Sequence, residues 1–231
     1  MIELSDVRLC VPPLRQGDPE RVLLDDISLE LSERRIVVIG ANGSGKSTLL
    51  RLLNGLRLPT SGTVTVDGHD TAKAGKQVRK LVGFIFTDPL SQLLMSTPIE
   101  DIELSLRGVI KSKTERLARA QELLDARGIG GVAHQSIYDL SGGERQLVAL
   151  TSVLAVSPTV VVADEPTTLL DLRNKRALRG VFEQLDQQLI FSTHDLDFAL
   201  LAERALVVED GRIVADDDPA AAVAYYKARM Q

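Results

Sequence analysis

The chain has 231 residues, 44% of them apolar, enough for one large α/β domain or two small ones around a real core. A net charge of −5, 3% aromatic residues and no Trp argue against a protein that neutralises nucleic-acid phosphates or stacks bases. The single cysteine, Cys10, excludes an internal disulfide and a cysteine metal cluster, and reads as a small buried hydrophobe. No apolar run approaches the ~18 residues of a membrane span. Met1-Ile2-Glu3-Leu4 has neither a basic region nor the start of an apolar signal segment, so a cytosolic setting is expected.

In chain order, apolar alternation at Ile2, Leu4, Val7 and Leu9 predicts an early strand. Pro12-Pro13 and Gly17-Asp18-Pro19 then break the chain with turns. Ile27-Ser28-Leu29-Glu30-Leu31 alternates again, and Arg35-Ile36-Val37-Val38-Ile39 reads as a buried strand. Thr48 to Leu53 reads as a helix, Thr63 to Val66 as a strand closed by Asp67-Gly68, and Leu81 to Phe86 as a short apolar strand. Residues 90–155 have helical spacing instead. There, Ser112 and Glu115 suit a capping box, Leu117, Ala120 and Leu124 share a face, and Gly128 is a stop. Thr159–Ala163, Leu189–Thr193 and Ala205–Glu209 are buried strands separated by helical segments. The expected fold is a mostly parallel α/β core with an N-terminal antiparallel β-subdomain and an inserted helical subdomain. As domains, this is a single unit over 1–231, with the core formed by 1–89 and 156–231 and the helical subdomain by 90–155.

Gly40-Ala41-Asn42-Gly43-Ser44-Gly45-Lys46-Ser47-Thr48 matches G-x-x-x-x-G-K-[ST], and lies between a predicted strand and a predicted helix as that phosphate-binding motif requires. The glycines let successive N–H groups point at a polyphosphate, and the helix N-terminus adds partial positive charge. Lys46 can reach the β- and γ-phosphates, and the Ser47 hydroxyl can ligate Mg²⁺.

Val160-Val161-Val162-Ala163-Asp164-Glu165 is an apolar strand ending in two acids, and an α/β sheet opens its ligand crevice at strand ends. Alone, two such acids read as a solvated turn. Beside a phosphate loop, Asp164 reads as the Mg²⁺ holder and Glu165 as the group that polarises the attacking water. Pro166 to Asp171 then makes a rigid exit. In Leu140-Ser141-Gly142-Gly143-Glu144-Arg145-Gln146, Ser141 and Glu144 form an S-x-x-E capping box ahead of Leu147 to Leu150, and the two glycines expose N–H groups at a helix N-terminus.

Leu140–Gln146 resembles the signature motif of ATP-binding-cassette ATPases. The phosphate loop, Asp164-Glu165, Asp171 and His194 follow in that family's order, over essentially the whole chain. The resemblance implies a P-loop NTPase core that hydrolyses ATP with Mg²⁺. It also implies a head-to-tail dimer, homodimeric or formed with a second such ATPase, in which Ser141, Gly142, Gly143 and Glu144 act across the interface. Asp171 would communicate between the two sites, and His194 would contact the γ-phosphate and support Glu165. Two positions depart from the pattern. Val11 stands where relatives carry an aromatic that stacks on adenine, and Thr87 stands where they carry Gln, with Gln92 a possible substitute.

The stretch Phe86–Ile102 resembles energy-coupling-factor importers of vitamins and transition-metal ions, with biotin the leading candidate and cobalt or nickel the alternatives. Such a subunit is peripheral on the cytoplasmic face of the membrane. Its partners are a transmembrane coupling protein and a substrate-capturing membrane protein, with no nucleic acid. The rival class is a soluble cassette ATPase acting on nucleic acid or ribosomes, which usually brings two cassettes, coiled coils or basic patches. Leu90, Leu93, Leu94, Met95 and Ile99 form an apolar cluster that is expected either to pack inside the helical insert or to leave a part exposed for a helix of the coupling protein.

Overall fold

The computed structural model describes residues 1–13, 15, 19–168 and 170–229. The turn expected at Gly17-Asp18, and Leu169 of the exit segment, lie outside these residues. The chain begins β1 (Ile2–Val11), β2 (Arg21–Leu31), β3 (Arg35–Ile39), α1 (Lys46–Leu53), β4 (Ser61–Val66) and β5 (His69–Asp70). It continues with α2 (Gly75–Leu81), β6 (Val82–Ile85), α3 (Pro98–Leu106), α4 (Lys113–Ala126), α5 (Gly142–Leu154) and β7 (Val160–Ala163). It ends with α6 (Leu172–Gln184), β8 (Gln188–Ser192), α7 (Leu196–Ala199), β9 (Arg204–Glu209), β10 (Arg212–Asp217) and α8 (Pro219–Arg229).

Two sheets result. The first is antiparallel in the order β2-β1-β4-β5, and the second runs β10-β9-β3-β8-β7-β6. In the second, β9, β3, β8, β7 and β6 are parallel and β10 returns antiparallel on β9. The expected alternation of β1 slips at Ser5–Asp6, where the register shifts and Asp6 takes φ 48°. That irregularity keeps Ile2, Leu4, Val7 and Leu9 all buried on one face.

The parallel strands are buried on both sides, as their continuous apolar runs require. Ile36 and Val38 of β3 face one core together with α1 and the antiparallel sheet, while Val37 and Ile39 face a second core with α6 and α8. A third core joins α3, α4 and α5 through Ile102, Leu106, Ala120, Leu124, Val148 and Ala149. Helix α5 belongs to two of these cores, because Leu150 faces the sheet. Ser112 caps α4 by accepting from the Glu115 N–H, and Gly128 ends the turn after it at φ 72°. Cys10 is half-buried near the end of β1 rather than in a core, which corrects its reading as a buried hydrophobe.

Because β3, β7 and β8 are parallel neighbours, their C-terminal ends open on one edge of the sheet. The phosphate loop follows β3, Asp164-Glu165 follow β7, and Ser192, Thr193 and His194 close β8 or follow it. That edge is the crevice expected of an open α/β sheet.

Candidate nucleotide site

A cleft of about 370 Å³ lies along the phosphate loop. Asn42, Gly43, Gly45, Lys46, Ser47 and Thr48 line it, together with Glu165, Arg21, Val22, Leu23, Asp210 and Gly211. Two glycines fix the loop's path. A Cβ at Gly40 would lie 2.2 Å from the Val208 carbonyl oxygen. Gly45 takes φ 114° immediately before α1, where an L side chain would be strained. Ser44 lines a neighbouring pocket under α8 instead. The Lys46 ammonium is buried at the foot of the cleft. It donates to the Gly40 and Ala41 carbonyls at 2.8 and 3.1 Å and lies 3.7 Å from Glu165 Oε1.

Ser47 Oγ donates to Asp164 Oδ1 at 2.9 Å, so the helix that follows the loop is tied to the end of β7. Asp164 is buried, and Glu165 Oε2 faces His194, with 2.7 Å to Nδ1 and 3.1 Å to the His194 backbone N–H, which donates. The phosphate loop, the acidic pair and His194 are thus assembled in one place. Ser192, not singled out as a site residue from the sequence, joins them: its hydroxyl donates to Asp164 Oδ1 at 2.8 Å and accepts the Glu165 N–H at 2.9 Å. No motif marks it, because its partners sit 28 and 27 residues away.

The oxygen donors suit Mg²⁺. Among the described residues no group of three His, Cys, Asp or Glu side chains is arranged to hold a metal ion by itself. A hydroxyl and a carboxylate at 2.9 Å match a hard cation that also takes water and phosphate oxygens, rather than an all-protein cage.

Other candidate residues lie elsewhere. Ser141, Gly142, Gly143 and Glu144 do not line the cleft. They start α5, where Ser141 and Glu144 form the expected reciprocal capping box. Hydrogen bonds from the Ser141 hydroxyl and N–H hold the Glu144 carboxyl below the usual carboxylate range. Asp171 caps α6, accepting from the Asn174 N–H at 2.8 Å. Gln92 also does not reach the cleft. Its Oε1 accepts from the Phe86 N–H and its Nε2 donates to the Ala149 carbonyl at 3.1 Å, so it bridges the end of β6 to α5. Thr87 is half-buried beside that bridge. Val11 pairs in register with Arg21 and does not line the cleft; Arg21, Val22 and Leu23 do. In the apolar cluster, Leu93 and Ile99 are buried in the third core, Leu90 packs against it and Met95 is half-buried. Leu94, 77% exposed, is the member that stays outside.

The ABC transporter family matches residues 24–168, which include the phosphate loop, the capping-box segment and the acidic pair. A putative ABC transporter ATP-binding protein of Bartonella quintana is 46% identical over 90% of this chain and 92% of its own length. The biotin transport ATP-binding protein BioM of Rhizobium etli is 42% identical over 90% of this chain and 92% of its own. The energy-coupling factor transporter ATP-binding protein EcfA1 of Halalkalibacterium halodurans is 38% identical over 84% of this chain and 72% of its own. Among solved structures, a dimeric ATP-binding cassette in a post-hydrolysis state with ADP and Pi superposes with a TM-score of 0.85 at 28% identity, covering 95% of this chain and 99% of that one. The chain therefore belongs to the ABC transporter family, as an ATP-hydrolysing ATP-binding subunit.

Proposed function

We propose that this subunit energises an importer of the energy-coupling-factor type, and that its system takes up biotin. The observation that carries this reading is the near full-length match to a biotin transport ATPase, at higher identity than the match to the general energy-coupling-factor ATPase. Deleting the gene in its host and measuring uptake of labelled biotin at nanomolar supply tests it. Loss of uptake, restored by the gene and not by its Lys46→Ala variant, is expected. Normal biotin uptake with lost cobalt or nickel uptake would reassign the cargo.

In this reading the cleft holds ATP with its phosphates on the loop N–H groups and Lys46. Ser47 and Asp164 would hold Mg²⁺, which would supply charge neutralisation on the phosphates. Glu165 accepts the proton of the attacking water, and His194 fixes its carboxylate through the 2.7 Å contact. The segment Ser141–Glu144 lies outside its own cleft, which favours action on a second subunit's nucleotide in a head-to-tail dimer. Residues 90–155 act as one helical unit about their own core, against a nucleotide-binding unit of 1–89 and 156–231.

The partner surface is the groove that opens between these units. Leu56, Phe86, Gln92, Leu94, Val153 and Val156 line it, and Leu56, Leu94 and Val156 are exposed there. A short amphipathic helix from a transmembrane coupling protein fits such an apolar groove. In this reading attachment to the membrane is peripheral and comes through this partner; among the described residues no helix is long and apolar enough to cross a membrane.

A further inference from the structure

Glu165 has φ 49°, the left-handed region that a long L side chain rarely adopts. The other non-glycine residues with positive φ among those described are Asp or Ser: Asp6, Asp26, Asp67, Ser157 and Asp210. Short polar side chains tolerate that conformation, and Glu does not share their local hydrogen bonding. Strain of this kind persists only where surrounding contacts over-determine it. At Glu165, the carboxylate is held by His194, the carbonyl accepts from the Thr168 N–H at 3.2 Å, and the backbone N–H is held by one buried hydroxyl, that of Ser192.

We propose that Ser192 is a positioning residue for ATP hydrolysis, its hydroxyl locking the backbone of Glu165 and the carboxylate of Asp164 in one geometry. Ser192 is wholly buried at the end of β8. Its oxygen accepts the Glu165 N–H at 2.9 Å, so its own proton is directed to Asp164 Oδ1 at 2.8 Å. A hydroxyl can do both at once, and an aliphatic side chain can do neither. β8 is apolar at Leu189, Ile190 and Phe191 and polar at both ends, but Gln188 is half-buried while Ser192 is wholly buried, so Ser192 is the polar side chain that the strand carries into the core. Without the hydroxyl, Asp164 keeps Ser47 as a donor, but the Glu165 N–H loses its acceptor. Glu165 can then leave the left-handed region and carry its carboxylate away from Lys46 and His194. The phosphate loop, built on β3 and α1, is untouched, so ATP binding survives.

The proposal rests on Glu165 as the residue that polarises water, and the test separates the two. The full chain is prepared as wild type, Ser192→Ala, Ser192→Thr and Glu165→Gln, and steady-state hydrolysis and ATP binding are measured on each. Ser192→Ala should lower kcat about tenfold, the scale of one lost hydrogen bond to a reacting group's support, with KM for ATP changed less than about twofold. Ser192→Thr, which keeps the hydroxyl, should restore most of kcat. If Ser192→Ala does not fold, Ser192→Cys, a weak donor and acceptor of similar size, carries the same expectation. A wild-type kcat in the Ala or Cys variant, a fall in kcat matched by an equal loss of ATP binding, or no recovery with Thr overturns the proposal. If Glu165→Gln is inactive while Ser192→Ala is normal, only the role of Ser192 fails. If Glu165→Gln itself turns over normally, the reading of Glu165 fails first.

Discussion

At the scale of single residues, the site is legible where its chemistry is local in sequence. Gly40, Gly45, Lys46 and Ser47 work through one turn of backbone, so their spacing alone names their role, and the cleft follows. Ser192 is the opposite case, since its function exists only because β7 and β8 are neighbours in the sheet. Lys46 supplies the buried cation of the cleft. Lys46→Ala should raise the ATP dissociation constant by about tenfold or more, the loss of charge-assisted hydrogen bonds to phosphate, as read by equilibrium titration. Selection of the base is a separate matter. Arg21, Val22 and Leu23 also line the cleft, and no aromatic side chain is among its described lining residues. An aromatic platform is worth ~1–3 kcal/mol of stacking per base. Its lack predicts weak selection of the base, so GTP should compete with ATP within about threefold in affinity, rather than by the larger factor a stacked, edge-read base gives. A hundredfold preference for ATP in a competition titration would mean that another group reads adenine.

Among elements, helix α5 links the nucleotide core to the helical unit. Its capping box was legible because S-x-x-E is a four-residue signal. Its second anchor is not legible: Gln92 reaches the Ala149 carbonyl across 57 residues, a partner that no local motif marks. Gln92→Ala should therefore reduce partner-coupled turnover more than Thr87→Ala, while basal ATP affinity stays unchanged in both. Equal and mild losses would show that the joint carries no coupling.

Helix α3 contributes Glu103, a nearly buried carboxylate held by Arg107 at 2.9 Å and Arg116 at 2.6 Å. The hydrogen bond from Arg107, with that from Arg116, outweighs burial and keeps its carboxyl below the usual range. A carboxylate whose folded pKa is depressed stabilises the protein above its unfolded value of about 4.3, and that contribution is lost as pH falls through the lower folded value. Glu103→Gln should cost about 3 kcal/mol at neutral pH by leaving the Arg116 guanidinium unpaired in a mostly buried place. The same variant should lose less stability than wild type on acidification below about pH 4, and chemical denaturation at pH 7 and pH 3.5 compares the two. The α2, β5, β10 and α8 elements carry little periodic signal in the sequence. The β-elements are short or edge-lying and α8 follows an acidic turn, so none shows a long apolar period.

For the whole molecule, the alternation of apolar strands and helices gave the parallel core and its antiparallel entry, because both layers obey periodicities that a single sequence displays. The dimer and the membrane partner leave no such period. They rest on where the pieces sit: a capping-box segment outside its own cleft, and an exposed Leu94 in a groove beside α5. Mixing Lys46→Ala chains with Ser141→Arg chains should recover hydrolysis that each lacks alone, because one composite site in each mixed dimer stays intact. A mixture no more active than its parts would count against sharing of sites between subunits. The central claim is that ATP is held by the phosphate loop and hydrolysed through Glu165. It is tested most directly by measuring phosphate release and ATP binding on wild type and Glu165→Gln under the same Mg²⁺ and ATP concentrations. The expected result is turnover lowered by about a hundredfold or more with ATP affinity within about twofold of wild type. Hydrolysis by Glu165→Gln at the wild-type rate would contradict it.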